Sequence, residues 1–390
     1  MEGYPCNDKE VGRLNDFFQG SIPLAEFSLW EKTRAKRIPF SFELEITARC
    51  NNDCRHCYIN LPAGDRVAQD KELSFEEIKE IVDEAVYMGA LWCLITGGEP
   101  LLREDFSSIY LHLKKKGLLV SVFTNATLMR DEHVRLFQKY PPRELETSVY
   151  GVTQETYERV TRIAGSYVAF MRGLALLLES GIKVRLKAMA LRSNLHEMPE
   201  IARFCRERTR DYFRLDPFLH SRYDRNQERN EVIRSERLSP EEIAALERSD
   251  PERLEALQKS CGRMIASDSS FPDCNHLFNC GAGNDNFNLS YDGLLRLCPS
   301  LWHPDCVYDL KRGNLKEAWL SFIPQVREMR SKRRDFLDKC LGCSIVNLCM
   351  WCPAYAHLET GAMDTPVDYF CRVAHARTEL FGNSVTPFTD

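Results

Sequence analysis

Between residues 42 and 217 the chain alternates six times between a short apolar or β-branched run and a helical pattern, and this limits the fold more than any other feature. The runs are FELEI (42–46), LWCLIT (91–96), LLVSVFT (118–124), ELETSVY (144–150), KVRLKAMAL (183–191) and YFRLD (212–216). Near-continuous runs of this length suit strands of a buried parallel sheet, each followed by a crossover helix. The helices carry their own signals. Ser74 and Glu77 form a capping box, Ile78, Ile81, Val82, Ala85 and Val86 share one face, and Gly89 supplies the stop. A second helix runs from Tyr167 to Ser180 and is closed by Gly181. Six such units predict an α/β fold, a partial (β/α)6 TIM-like barrel, with ligands at the C-terminal ends of the strands.

Past the sixth run the pattern breaks. Residues 221–260 are charged, with Ser239 capping a short helix PEEIAALER, and read as a linker wrapping the barrel. Residues 261–375 are loop-rich and cysteine-rich, with one hairpin signal where Asp292-Gly293 separates FNLS from LLRLC. That stretch lacks the apolar mass for an independent core and is expected to rely on metal. The organisation is therefore an N-terminal extension (1–40), a barrel (41–220), the linker, a cysteine-rich domain (261–375) and a tail (376–390). Phe17, Phe18, Phe27 and Trp30 of the extension are expected to pack on the barrel.

Sixteen cysteines in a chain this large, with no basic-then-apolar leader and no long apolar run, point to metal ligation in a reducing cytoplasm rather than to disulfides. A net charge of -5 offers no footprint for nucleic acid or an anionic membrane. Cys50, Cys54 and Cys57 form one group just past the first strand, and ten more cysteines lie between Cys261 and Cys371. Three thiolates on a four-iron cluster leave one iron open, which marks a catalytic centre. A structural zinc loop with a distant fourth ligand is the alternative on spacing alone.

The spacing Cys50-x3-Cys54-x2-Cys57, with His56 before the third cysteine, resembles the signature of radical S-adenosylmethionine enzymes. Gly97-Gly98-Glu99-Pro100 after the second strand is similar to that family's GGEP motif, which receives the methionine part of the cofactor. The resemblance implies cofactor contacts from Thr124 and Asn125, where Ala126 replaces the usual glycine of TNG, and from Ser148 and Arg162, the last equally readable as a surface salt bridge. It further implies that Cys50, Cys54 and Cys57 hold the catalytic cluster, which cleaves S-adenosylmethionine to a 5′-deoxyadenosyl radical that removes a hydrogen from substrate.

The C-terminal cysteines resemble the SPASM extension. Cys274-x5-Cys280, Gly293-x4-Cys298, Cys340-x2-Cys343-x5-Cys349-x2-Cys352 and Cys371 follow its order, with x2 where x3 is usual before Cys352. By position in that motif, Cys274, Cys280, Cys298 and Cys352 would hold one auxiliary four-iron cluster, and Cys340, Cys343, Cys349 and Cys371 a second. Read by themselves, Cys340-x2-Cys343 and Cys349-x2-Cys352 also fit a zinc knuckle. Cys6, Cys93, Cys205, Cys261 and Cys306 fall outside the pattern and read as plain thiols.

Resemblance to maturases of ribosomally made peptides implies a precursor peptide as substrate and a crosslink, carbon–carbon or thioether, as product. It also implies a flavodoxin- or ferredoxin-type reductant. Only about forty residues precede the first strand, so leader recognition is expected from a separate protein or from the barrel and linker. Rival readings are an anaerobic sulfatase maturase, disfavoured because Pro299 replaces the aspartate expected after Cys298, and a tetrapyrrole side-chain-modifying enzyme. Outside catalysis, an iron–sulfur electron carrier or a zinc scaffold would share the cysteines.

Overall fold

The computed structural model describes residues 32–33, 35–209, 214–255, 257, 275–341, 343, 345 and 348–381. Cys6, Cys261, Cys274 and the aromatic residues Phe17, Phe18, Phe27 and Trp30 lie outside the described residues.

Six parallel strands form in chain order: β1 (Ser41–Thr47), β2 (Trp92–Gly97), β3 (Leu119–Phe123), β4 (Glu144–Ser148), β5 (Val184–Met189) and β6 (Arg214–Asp216). The alternation in the sequence thus becomes a mostly parallel α/β sheet with each strand beside its predecessor. Helix α1 (Phe75–Tyr87) starts at Ser74 with both halves of the capping box made, and its chain turns away at Gly89, whose φ is +104°. Helices α2 (Phe106–Lys115), α3 (Asp131–Lys139), α4 (Gln154–Thr161), α5 (Ser166–Glu179) and α6 (Met198–Arg208) follow the next strands.

The cysteine-rich stretch adds three strands to the same sheet. β7 (Asn286–Leu289) pairs parallel with β1, and β8 (Leu294–Arg296) and β9 (Tyr308–Asp309) continue antiparallel, so that the order is β9-β8-β7-β1-β2-β3-β4-β5-β6. β7 and β8 are the hairpin expected at Asp292-Gly293, and Gly293 takes φ +91° in its turn. Phe287, Leu289, Leu295, Leu301 and Trp319 belong to one buried cluster with Phe42, Leu44 and Ile46 of β1. The stretch therefore borrows the core of the barrel, as its low apolar content requires.

Period-two alternation divides the sheet. Leu295, Leu289, Leu44, Ile95, Val122, Leu145 and Val184 form one continuous row across it and are buried. The row beside it is polar: Arg296 stands opposite Asn288, and Asn288 opposite Glu43. Glu43 on β1 also lies within electrostatic reach of Lys187 on β5 and Arg214 on β6. Strands that far apart in sheet order approach only across a concave face, so the sheet curls around a chamber lined by its polar side chains.

Charged groups in this chamber are paired by sign. Arg296 meets Glu45 at 2.9 Å with both side chains 0% exposed, Lys187 meets Glu146 at 2.6 Å, and Glu144 lies between Arg143 and Arg185. Buried charge of this kind persists only when matched.

The 221–260 segment includes helices α7 (Gln227–Glu236) and α8 (Pro240–Ser249), the latter capped by Ser239 with a complete capping box. After them come α9 (Pro353–Thr360) and α10 (Asp368–Phe381). Arg377 on α10 binds Glu247 of α8, with Nε to Oε2 at 2.9 Å, and reaches the Leu348 carbonyl at 3.2 Å. No single helix among the described residues is long and apolar enough to cross a membrane.

Candidate functional site

The loop carrying Cys50, Cys54 and Cys57 leaves the C-terminal end of β1, where open α/β sheets bind ligands. Its path is fixed by the backbone. Asp53 N–H donates to the Thr161 carbonyl at 2.9 Å, Arg55 N–H to Val160 at 3.0 Å, and Cys57 N–H to Cys54 at 3.1 Å. Arg49 at the loop's entry makes a two-point contact with Glu72, at 2.8 and 3.1 Å. Two arginines close the loop from outside. Arg222 donates to the Asn60 carbonyl and side chain at 3.2 and 3.0 Å, and Arg229 reaches Asp53 at 2.7 Å and Asn60 at 3.1 Å.

The three thiols form a set. Burial raises the thiol pKa of Cys54, with Cys57 and Cys50 as its nearest charged neighbours, and burial raises Cys50 as well, followed by the charges of Glu99 and Cys57. Cys50 Sγ already accepts from Asn52 N–H at 3.4 Å and lies 3.7 Å from the Asn125 side-chain nitrogen. N–H groups aimed at sulfur stabilise thiolate, and a bound cation would supply the rest.

The GGEP segment lies against this loop. Gly97 has φ +123°, and a Cβ there would stand 2.2 Å from the Thr47 carbonyl oxygen; one on Gly98 would stand 2.2 Å from that of Arg49. Only glycine permits this approach. Pro100 starts a short helical turn after Glu99. Glu99 is wholly buried and accepts from Thr124 Oγ1 at 2.7 Å, from Asn125 N–H at 2.7 Å and from Leu101 N–H at 3.0 Å. Burial pushes its carboxyl up to about 7, against the pull of those hydrogen bonds. Glu99 thereby ties the end of β2 to the end of β3, and Asn125 ties β3 to the cysteine loop through Asn51 at 3.0 Å.

The structure also locates the remaining residues suggested by sequence. His56 packs against Tyr150 with ring centroids 5.1 Å apart, and burial, aided by the charge of Lys187, lowers it to about 4, so the ring is neutral near pH 7. Its Nδ1 and both side-chain polar atoms of Asn52 are buried without a protein partner among the described residues. Ser148 ends β4 beside Tyr150. Arg162 caps α4 in the left-handed region and meets Asp53 at 3.4 Å, which joins it to the cysteine loop through an ion pair.

In the second field the thiols sort into two sets. Burial raises Cys352 to about 12 and Cys298 to about 11; Cys352 has Cys298 and Cys280 as charged neighbours, and Cys298 has Cys280. Cys349, raised by burial to about 11, instead faces Cys371, Cys340 and Cys343. Cys352 caps α9, its Sγ accepting from Tyr355 N–H at 3.4 Å. Cys306 lies 3.7 Å from Met329 Sδ and 3.6 Å from Met363 Sδ, with Cys298 among its charged neighbours. Between Cys280, Cys298, Pro299, Glu43, Asn288 and Ser121 lies a cavity of about 410 Å³.

Sequence reasoning missed the arginine clamp. Arg222 and Arg229 fall in the charged run read as a linker, and their recurrence in that run was the one available signal. It missed Arg296 as well, because a charge inside a strand of LLRLC reads as outward-facing.

A three-thiol loop at one strand end, a buried acidic glycine-rich turn at the next, and their joint attachment to the third define a class of protein. Residues 44–205 match the family model described as the Radical SAM superfamily. Among curated proteins it is similar to an Fe-coproporphyrin III synthase of Methanosarcina barkeri, 32% identical over 40% of this chain and 38% of that one. It is also similar to the antilisterial bacteriocin subtilosin biosynthesis protein AlbA of Bacillus subtilis, 30% identical over 44% of this chain and 37% of that one. The chain therefore spans well under half the length of these relatives. Among solved structures, Streptococcus suis SuiB bound to precursor peptide SuiA has the same fold, with a TM-score of 0.65 over 93% of this chain and 87% of that one at 16% identity.

Proposed function

We propose that the chain is a radical S-adenosylmethionine enzyme that modifies a peptide, with Cys50, Cys54 and Cys57 holding a four-iron cluster that has one open iron. The observation that carries this is the continuous link from Cys50 through Asn125 and Thr124 to Glu99, which joins three strand ends around one point. When bound, the cluster and S-adenosylmethionine together supply a 5′-deoxyadenosyl radical that removes a hydrogen atom from the substrate. The protein's part is placement. Gly97 and Gly98 let backbone approach the cofactor's methionine end, and Glu99, whose donors occupy only part of its acceptor capacity, receives the ammonium. Thr124, Asn125, Ser148, Arg162 and neutral His56 surround the rest of the cofactor, and the curled sheet excludes water from the reacting carbon.

In this reading Cys280, Cys298 and Cys352, with Cys274 as fourth ligand, hold one auxiliary four-iron cluster, and Cys340, Cys343, Cys349 and Cys371 hold another. Cys93, Cys205 and Cys306 are plain buried thiols. Every described cysteine is a free thiol, which suits a reducing cytoplasm. A flavodoxin- or ferredoxin-type protein supplies the electron, and the leader is recognised by a separate protein or by the barrel and linker. The product is a crosslink within the peptide.

Two observations favour a peptide over the tetrapyrrole that the Methanosarcina relative's name suggests. Acids and bases alternate across the chamber, which suits an amide-bearing chain better than a polycarboxylate. The similarity to the subtilosin biosynthesis protein points the same way. Pro299 on the cavity wall cannot take a proton, which weighs against sulfatase maturation through that position.

Anaerobically reconstituted protein given S-adenosylmethionine and dithionite is expected to release 5′-deoxyadenosine. It should also change the mass of a short peptide encoded beside its gene. The Cys50→Ala/Cys54→Ala/Cys57→Ala variant is expected to lose both, by about 10³-fold or more. Undiminished release from that variant would overturn the mechanism, and mass change in a porphyrin instead of the peptide would overturn the substrate.

A further inference from the structure

Arg296 is an anomaly of this chamber. It occupies a strand position two residues before Cys298, is 0% exposed, and stacks on Trp302 with Cζ 3.4 Å from the ring centroid. Trp302 is anchored in turn, its Nε1–H donating to the Pro299 carbonyl at 2.8 Å. Arg296 Nη2 binds Glu45 and Asn288, whereas Nε and Nη1 are buried with no protein acceptor among the described residues. Burying unpaired guanidinium N–H groups is costly, so their persistence asks for an acceptor that they do not find among the described residues.

The surroundings identify that acceptor. Arg296 is the cation within electrostatic reach of the Cys298 thiol, while its partner Glu45 is the leading charged neighbour of Tyr58, the residue after Cys57. Arg296 thus lies within electrostatic reach of both Cys298 and Tyr58. Tyr223 packs on the far side of Trp302, with ring centroids 4.8 Å apart, and holds the stack in place.

We propose that Arg296 is a positioning residue for electron transfer, its fixed charge and free N–H groups holding the iron–sulfur group at Cys280, Cys298 and Cys352 at a raised reduction potential. This rests on the reading of that set as a cluster site. The couple concerned takes up one electron with no bond made or broken at the arginine, which stays protonated in both states. Adding negative charge near a guanidinium favours the reduced form, and hydrogen bonds and net charge are known levers on cluster potential. A substrate that must give up one electron after losing hydrogen would find its acceptor on the Cys298 side of the chamber.

The test is an EPR-monitored redox titration of the fully loaded protein. Arg296→Met alone would leave Glu45 buried and unpaired, so Glu45→Gln/Arg296→Met is measured beside it to keep the interior neutral. Both are expected to make the first auxiliary couple at least tenfold harder to reduce, about 59 mV for one electron. Arg296→Lys is expected to restore part of the shift, and the couples at the other two sites should not move. A folded, loaded double variant with an unshifted first auxiliary couple would overturn the proposal. Absence of any four-iron signal from the Cys280, Cys298 and Cys352 set in the unmutated protein would instead overturn the cluster reading on which it rests.

Discussion

In the first cysteine loop the chain is fastened on both sides of every thiol, by backbone bonds to Thr161 and Val160 and by the side chains of Arg222 and Arg229. In the second field the thiols come from separate segments around Cys280, Cys298, Cys340 to Cys352 and Cys371. The backbone bonds there are local, such as Cys343 to Cys340 at 3.3 Å and Cys371 to Val367 at 3.2 Å. Cys280 and Cys371 are exposed, whereas Cys54 is buried. A site that must offer an open metal position needs its geometry set by protein, while a fully liganded one can let the metal set it. The difference is what the proposed open and fully liganded sites would require.

Removing iron with a chelator should expose this contrast most strongly. Amide hydrogen exchange is expected to rise by about tenfold or more around Cys340–Cys352, with that at Asp53, Arg55 and Leu61 little changed. Equal loss of protection in both regions would break the comparison. A smaller effect is expected from Glu99→Gln, which places an amide donor against the Thr124, Asn125 and Leu101 donors. It should cost about 3 kcal/mol in urea unfolding and weaken S-adenosylmethionine binding in parallel. A loss of binding without a loss of stability would mean that Glu99 serves the cofactor alone.

The smallest effect concerns the joint between the arginine-bearing segment and α9. Glu359 accepts from Ser221 Oγ at 2.7 Å and pairs with Arg237. Burial acts to raise its carboxyl, but Arg237 and Ser221 more than offset this and leave it below the usual carboxylate range. A folded value below the unfolded one means that the stabilisation is complete above about pH 4.5 and is lost as pH falls through the folded value. Glu359→Gln should therefore cost about 1.5 kcal/mol at pH 7, a deficit that shrinks in more acidic urea titrations. A deficit independent of pH would show that the joint does not depend on charge.

The central sheet was legible because each strand carries its own apolar run and each helix its own cap, so local signals sufficed for β1 to β6. The first cysteine loop is equally local, its three cysteines lying within eight residues. What sequence could not show were contacts made at long range. β7 pairs with β1 although the two lie about 245 residues apart. Arg222, Arg229 and Arg296 read as ordinary surface charge because burial is a property of the assembled fold, not of the run that contains them.

The pairing of β1 with β7 also sets a timetable for synthesis. Glu43 and its partner Asn288 are 245 positions apart, so at about 5–20 residues per second one edge of β1 stays open for roughly 12–50 s after it leaves the ribosome. An unpaired central strand is a template for association with other chains, and a contact this distant in sequence forms slowly. The first cysteine loop is therefore exposed at the end of an incomplete sheet throughout that interval. Loading iron before residue 289 has docked would act on a half-built barrel, and slower synthesis lengthens that interval in proportion.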